Sequence, residues 1–230
     1  MLRRFPLLPV LPALPVLLGV ACLGTPQPDP PNIDPSRVFG YGTLGPPTVL
    51  ITGEPGAVTP AEATLRIYDL DLEEPAVDVV PRSDGSFEVE VPGAQGDELR
   101  LQVTLDEERG TPIDVLIATD RVELASRPLA DCLTTSPALE APVPAGGRAT
   151  IRLVNGCAQP VAVSRIAVRR PAAPFGAVSP AAPVELPAGG ELPIVVEHPA
   201  GVDDLAEEIL LVEISGPLPD RRPVTLSGTP

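Results

Sequence analysis

The chain has 230 residues, and its 31 acidic against 16 basic residues give a formal net charge of −15. That length suffices for two domains of about 100 residues each, and that charge disfavours nucleic acid and anionic lipid surfaces as partners. With 43% hydrophobic residues but only 3% aromatics and no tryptophan, any core must be built from Val, Leu, Ile and Ala. The 33 prolines and 20 glycines approach a low-complexity composition. Apolar runs nevertheless recur between them, which reads as many short strands joined by turns. Lysine is absent.

Met1 to Arg4 is a short basic head, and Phe5 to Ala21 is an uncharged apolar run. A spanning helix needs about 20 residues, and Pro6, Pro9, Pro12 and Pro15 would break its hydrogen bonds. Residues 1–21 therefore read as a cleaved signal peptide. The run ends in Leu18, Gly19, Val20, Ala21 and Cys22, which resembles a bacterial lipobox. The resemblance implies a diacylglyceryl thioether on Cys22, cleavage just before it and acylation of the new amine, so that the chain meets the membrane through lipid. Gly19 departs from the leucine commonest there. Gly19 and Ala21 also suit an ordinary signal peptidase, so plain secretion and an uncut anchor stand as competing expectations. Two or more acyl chains make a stable anchor where one does not. Residues 22–36 are proline-rich and read as a stiff extended linker. Leu23 follows Cys22 where an Asp would retain an enterobacterial lipoprotein in the inner membrane, so the outer membrane is expected.

Between 37 and 127, strands are predicted at 48–53, 63–70, 76–80, 86–91, 98–105 and 112–118. In Phe87–Val91 and Leu99–Leu105, apolar and polar residues alternate. Period two predicts one buried and one wet face. Ser83-Asp84-Gly85-Ser86 is a turn signal. No window has helical period, and strand spacing of about 8–12 residues predicts a sandwich or barrel. The stretch Asp84–Val103, with its Gly-bearing turn, strand, Pro-Gly loop, Gly-Asp and second strand, is similar to bacterial immunoglobulin-like and carboxypeptidase-regulatory-like domains. That resemblance implies an acidic accessory sandwich. This part holds 18 carboxylates against 7 arginines. The runs Asp69–Glu74 and Asp106–Glu108 are either solvated surface or, since calcium favours clustered carboxylates on loops, a cation site.

From 128 to 230, strands are predicted at 149–155, 161–170, 182–187, 191–198, 207–215 and 222–229. Pro-Ala-Gly-Gly occurs at 144–147 and 187–190, each time before a strand, as a turn with glycine at positive φ. The order of these pieces resembles the Hydin/ASH-like sandwich of the choice-of-anchor type. Asn155, Pro160, Pro187, Gly189, Pro199, Leu226, Ser227 and Gly228 fall at the matching places, and His198 stands where that family has threonine. The resemblance implies an immunoglobulin-like fold without catalytic residues, in bacteria mostly a surface or periplasmic module. The expected fold class is thus all-β, two tandem immunoglobulin-like sandwiches after a signal peptide and linker. An extracytoplasmic chain permits a disulfide, expected between Cys132 and Cys157, where it would stabilise by about 3–4 kcal/mol in the chain-entropy model. Cys22 is left for lipid.

Catalytic signals are sparse. His198 is the single histidine, no Gly-x-Ser-x-Gly elbow accompanies it, and Ile214–Pro217 lacks that context; it reads as a satisfied or solvated loop histidine. The glycine-rich run 40–45 lacks a P-loop lysine and reads as an opening strand. Asp203 and Asp204 read as loop residues. One histidine and no Cys-x-x-Cys pair supply too few ligands for a soft-metal site. No catalytic residue, metal or cofactor is expected. The sequence predicts a non-enzymatic envelope lipoprotein that binds or scaffolds a protein or glycan; the alternative is an accessory subunit of a secretion or attachment complex, docking a basic partner.

Overall fold

Period-two sequence becomes β-sheet throughout, and the chain is all-β. The computed structural model describes residues 29–42, 47–106, 108–119, 121–171, 173–201 and 206–230. Cys22, Asp203 and Asp204 lie outside them. Helix among the described residues is confined to a 3-10 turn at Pro35–Arg37. The first half contributes β1 (Asn32–Ile33), β2 (Val38–Gly42), β3 (Thr48–Gly53), β4 (Val58–Thr59), β5 (Thr64–Asp69), β6 (Val77–Val79), β7 (Phe87–Pro92), β8 (Glu98–Leu105), β9 (Glu108–Arg109), β10 (Ile113–Ile117) and β11 (Val122–Leu124). One sheet has the order β2-β3-β7. The other runs β11-β10-β8-β5-β6, with β9 also on β8. Val49, Ile51 and Val91 of the first sheet pack against Leu65, Leu101 and Val115 of the second, with Phe87 as the aromatic member. Each such side chain contributes about 1.5–3 kcal/mol by leaving water. The chain joins this sandwich within the stretch read as linker: Ile33 pairs with Val58 through β1 and β4 and is buried in the core.

The second half contributes β12 (Leu133–Ser136), β13 (Glu140–Pro144), β14 (Gly147–Asn155), β15 (Val161–Val168), β16 (Gly176–Ser179), β17 (Val184–Leu186), β18 (Glu191–His198), β19 (Glu207–Gly216) and β20 (Asp220–Thr229). They form sheets of order β12-β14-β18-β16 and β13-β20-β19-β15-β17, around a core that includes Ile151, Leu153, Ile194, Leu210, Val212 and Leu226. β13 runs parallel to β20. Its Pro142 and Pro144 face outward, and without N–H groups they blunt that edge. Gly85, Gly146 and Gly189 sit at φ 78°, 66° and 72°, as their turns require. Buried Asn155 ties two loops together. Its Nδ2 donates to the carbonyls of Gln159, Leu186 and Pro187, and its Oδ1 accepts from the Cys157 amide. Cys132 and Cys157 are disulfide-bonded, which fastens the approach to β12 to the end of β14.

The two sandwiches stack. Ile209 and Leu211 on β19 alternate with the core residues Leu210 and Val212, so they point away from the second core. There they pack on Tyr68 and Leu70 of the first half. Likewise Arg66 and Tyr68 on β5 and Arg100 and Gln102 on β8 point away from the first core. The β8-bearing sheet and the β20-bearing sheet therefore meet back to back, and four layers of sheet result. This corrects the wet face expected on β8: Glu98, Arg100 and Gln102 are all buried, because the second sandwich covers them.

Candidate functional site at the seam between the sandwiches

Arg169, just past the end of β15, is 2% exposed. Its Nε and Nη2 donate to the two carboxylate oxygens of Glu208 on β19, at 2.8 and 3.2 Å. Its Nη1 crosses into the first sandwich and donates to the carbonyls of Asp69, Leu72 and Glu74, at 3.2, 2.7 and 2.7 Å. Its guanidinium carbon also lies 5.6 Å from the Tyr68 ring centroid, within cation–π range. Glu208, fully buried, accepts in addition from Arg170 Nε and from the Ile209 amide. The planar fork of arginine suits this task, since it satisfies a carboxylate along one edge and carbonyls along another.

A second set lies along β8. Arg100 forks onto Asp114 of β10 at 2.7 and 3.0 Å and reaches Thr225 Oγ1 of β20 at 3.4 Å. The Thr225 hydroxyl donates to Gln102 Oε1 at 3.0 Å. Arg127 bridges Glu98 and Asp114. Burial pushes the Asp114 carboxyl up, but Arg100 and Arg127 outweigh it and hold the group below the usual range. At the other end, Arg109 of β9 reaches both Glu140 and Glu207 of the second sandwich. The Tyr68 hydroxyl donates to Glu207, and burial, then the Glu207 charge, raises its pKa.

The acidic run 69–74 is part of this seam. Asp69 Oδ1 accepts from the amides of Asp71 and Leu72, and the loop so shaped presents the carbonyls that hold Arg169. Asp71 accepts from the Glu98 amide and from Arg221 Nη2 of the second sandwich, at 2.8 and 2.7 Å. Asp71 is raised by burial and lowered by Arg221 and the Glu98 amide, with a net shift downward. Asp69 and Asp71 thus meet backbone amides and arginine, while Asp71, Glu73 and Glu74 stay exposed as the solvated reading of this run expects, and among the described residues no group of three His, Cys, Asp or Glu side chains is placed to hold a metal ion. Asp69 differs. Its buried Oδ2 has no hydrogen-bond donor and faces Gly93. Burial raises its pKa to about 6, with Asp97 and Asp71 adding to the rise against the amide hydrogen bonds.

The concavities found follow the seam. One of about 300 Å³ is lined by Thr64, Arg66, Asp78, Thr104, Asp106 and Glu207. Another, of about 520 Å³, lies between Asp106 and Arg109 on one side and Glu140, Pro142 and Ser227–Pro230 on the other. The arginines in both, Arg66 and Arg109, are already paired with carboxylates. What this arrangement does chemically is join two sandwiches.

The residues singled out in the sequence fall elsewhere. The Cys132–Cys157 bridge lies in the second sandwich, and Cys22 is outside the described residues. His198 is the satisfied rather than the solvated histidine, and it lies in the strand predicted at 191–198 instead of a loop. It ends β18, fully buried, with Nδ1 3.3 Å from the Val143 carbonyl and its ring 4.8 Å from that of Phe175. Ser215 donates to the Ala162 carbonyl. Gly40 and Gly42 of the glycine-rich run belong to β2; a Cβ on Gly40 would lie 2.6 Å from Val122 Cγ1. Arg100, Arg169 and Glu208 were not anticipated. A signal was present in the paired charges, Arg169-Arg170 against Glu207-Glu208, on strands that are neighbours in the sheet.

No family model matches this chain, and no curated protein matches it. Among solved structures, E. coli alpha-2-macroglobulin in its native conformation is similar over 83% of this chain and 16% of that one, at 11% identity and a TM-score of 0.29. This chain thus spans about a sixth of that protein, and a likeness at that level carries no argument about role.

Proposed function

We propose that this chain is a non-enzymatic lipoprotein of the bacterial envelope, anchored in the outer membrane through Cys22, whose two sandwiches act as one rigid binding or scaffold module. On this reading residues 37–127 are the immunoglobulin-like, carboxypeptidase-regulatory-like part, residues 128–230 are the Hydin/ASH-like part, and the proline-rich stretch after Cys22 spaces them from the bilayer. The observation that carries the scaffold role is the seam. Arg100 and Arg169 are 3% and 2% exposed, and both join one sandwich to the other. Inter-domain contacts of ordinary polarity allow domains to move, whereas buried charge pairs tolerate little displacement before they are left unmatched. A chain whose buried ion pairs hold two sandwiches at a fixed angle suits positioning work.

The test is the intact mass of the protein from native membranes, with and without reductant. The expected result is a chain beginning at Cys22, heavier by its acyl groups, that gains two hydrogens when the Cys132–Cys157 bridge is reduced. An unacylated chain in the soluble fraction overturns the lipoprotein reading. The subunit reading is favoured by one feature, the open outer face of the β2-β3-β7 sheet.

A further inference from the structure

We infer that the outer face of the β2-β3-β7 sheet is a docking surface for an extended protein segment with arginine or lysine at alternate positions; this rests on the subunit reading. The register sets two rows across the three strands, Phe39–Thr52–Glu88 and Tyr41–Leu50–Glu90. Residues directly opposed in antiparallel strands share a face, and here it is the face away from the core, whose side is taken by Val49, Ile51, Phe87 and Val91. Tyr41 is 47% exposed, and both glutamates are exposed. Neither glutamate forms an ion pair among the described residues. The contrast with β8 is the argument. β7 and β8 carry the same alternation, but the polar residues of β8 are matched by Asp114 and Arg127 and, from the second sandwich, by Thr225 and Arg221, while Glu88 and Glu90 meet none.

Charge selects the occupant. The face has two carboxylates, no basic residue and an electron-rich ring, so it attracts cations by ion pairing and by cation–π contact. Glu88 and Glu90 are two residues apart on one strand, about 7 Å, which is the spacing of alternate side chains on a second extended strand. A second copy of this chain, at −15, is repelled instead. Three strands about 4.8 Å apart and six residues of about 3.4 Å offer roughly 300 Å², well below the about 800 Å² per partner of a stable complex. The contact is therefore weak, salt-sensitive and suited to partners already held nearby.

The experiment is amide chemical-shift mapping on the full mature chain with two eight-residue probes, one alternating arginine and valine and one alternating glutamate and valine. The arginine probe should move Phe39, Tyr41, Thr52, Glu88 and Glu90 selectively, and more weakly as salt rises; the glutamate probe should move nothing. Glu88→Gln with Glu90→Gln should weaken binding about five- to tenfold, the range of two exposed ion pairs, and Tyr41→Ala should weaken it further. All three positions are exposed, and the variants should unfold as the wild type does. Shifts spread over the whole acidic surface, shifts confined to the seam grooves, absence of binding, or self-association of the chain would each overturn the proposal. A soluble, unacylated chain in the mass test would sink the envelope reading while leaving this face to stand or fall on its own titration.

Discussion

Replacing Arg169 with alanine tests whether the seam joins the sandwiches energetically as well as geometrically. The substitution removes five hydrogen bonds. It strips one of two arginines from fully buried Glu208 and leaves the carbonyls of Asp69, Leu72 and Glu74 without this donor. Breaking a buried pair by deleting one member costs about 3–5 kcal/mol. Arg170 still faces Glu208, so the lower end applies, about 3 kcal/mol. With a urea m value of about 2 kcal/mol/M, the midpoint should fall by about 1.5 M. Near-ultraviolet circular dichroism reports the event through Tyr68, one of two tyrosines in a chain without tryptophan, and amide exchange assigns it. The wild type should unfold in one transition and the variant in two, the sandwiches having come apart first. Arg169→Lys should lose most of the same energy, since an ammonium cannot fork onto Glu208 and reach the carbonyls together. A cost below about 1 kcal/mol with a single transition would refute the reasoning, because the contacts would then be present but idle.

Asp69→Asn should make the protein more stable at neutral pH. A carboxyl raised to about 6 in the folded state from 3.8 favours folding fully below pH 3.8 and progressively less as pH rises to about 6. The gain should be about 1–2 kcal/mol above pH 6, allowing for screening, and should vanish near pH 4 in urea titrations at each pH; a variant less stable than wild type at pH 7 would contradict this. Gly40→Ala places a methyl 2.6 Å from Val122 Cγ1 and 2.9 Å from Ile51 Cδ1, and should cost about 1–3 kcal/mol by overpacking. Val122→Ala in the same chain should recover part of it; strictly additive losses in thermal unfolding would count against a steric origin. Reducing the Cys132–Cys157 bridge, which spans 25 residues, should lower stability by about 3–4 kcal/mol, with amide protection lost in β12 and the end of β14 before the first sandwich is affected.

Much of the fold was legible because period-two alternation is a local property. β3, β8 and β18 begin and end at the residues predicted for them. The strands that were missed have identifiable causes. β12 and β13 lie in a stretch of Pro, Ala and Thr without alternation, and β13 is a strand because β20 offers it a parallel edge, which no local pattern encodes. β1 and β4 are two residues each. The seam was illegible for a different reason. Alternation says that one face of β8 is apolar and buried and that the other is polar; it cannot say whether the polar face meets water or another protein surface.

β7 and β8 make that limit concrete. Leu99, Leu101 and Val103 turn inward as Phe87, Val89 and Val91 do, and the other face of each strand is charged. The difference lies in what the charges are. β7 offers only glutamates, while β8 offers Glu98, Arg100 and Gln102, a set of mixed sign with donors as well as acceptors. A mixed set can be satisfied by neighbours within the chain, as Asp114, Arg127 and Thr225 do here. A set of one sign cannot be matched without an outside source of the other sign. Sealing a mixed face in the interior leaves no net charge to desolvate, whereas burying Glu88 and Glu90 would desolvate two like charges with no cation on their own face. The composition of the polar row, rather than its period, therefore separates a face closed by the fold from a face left open.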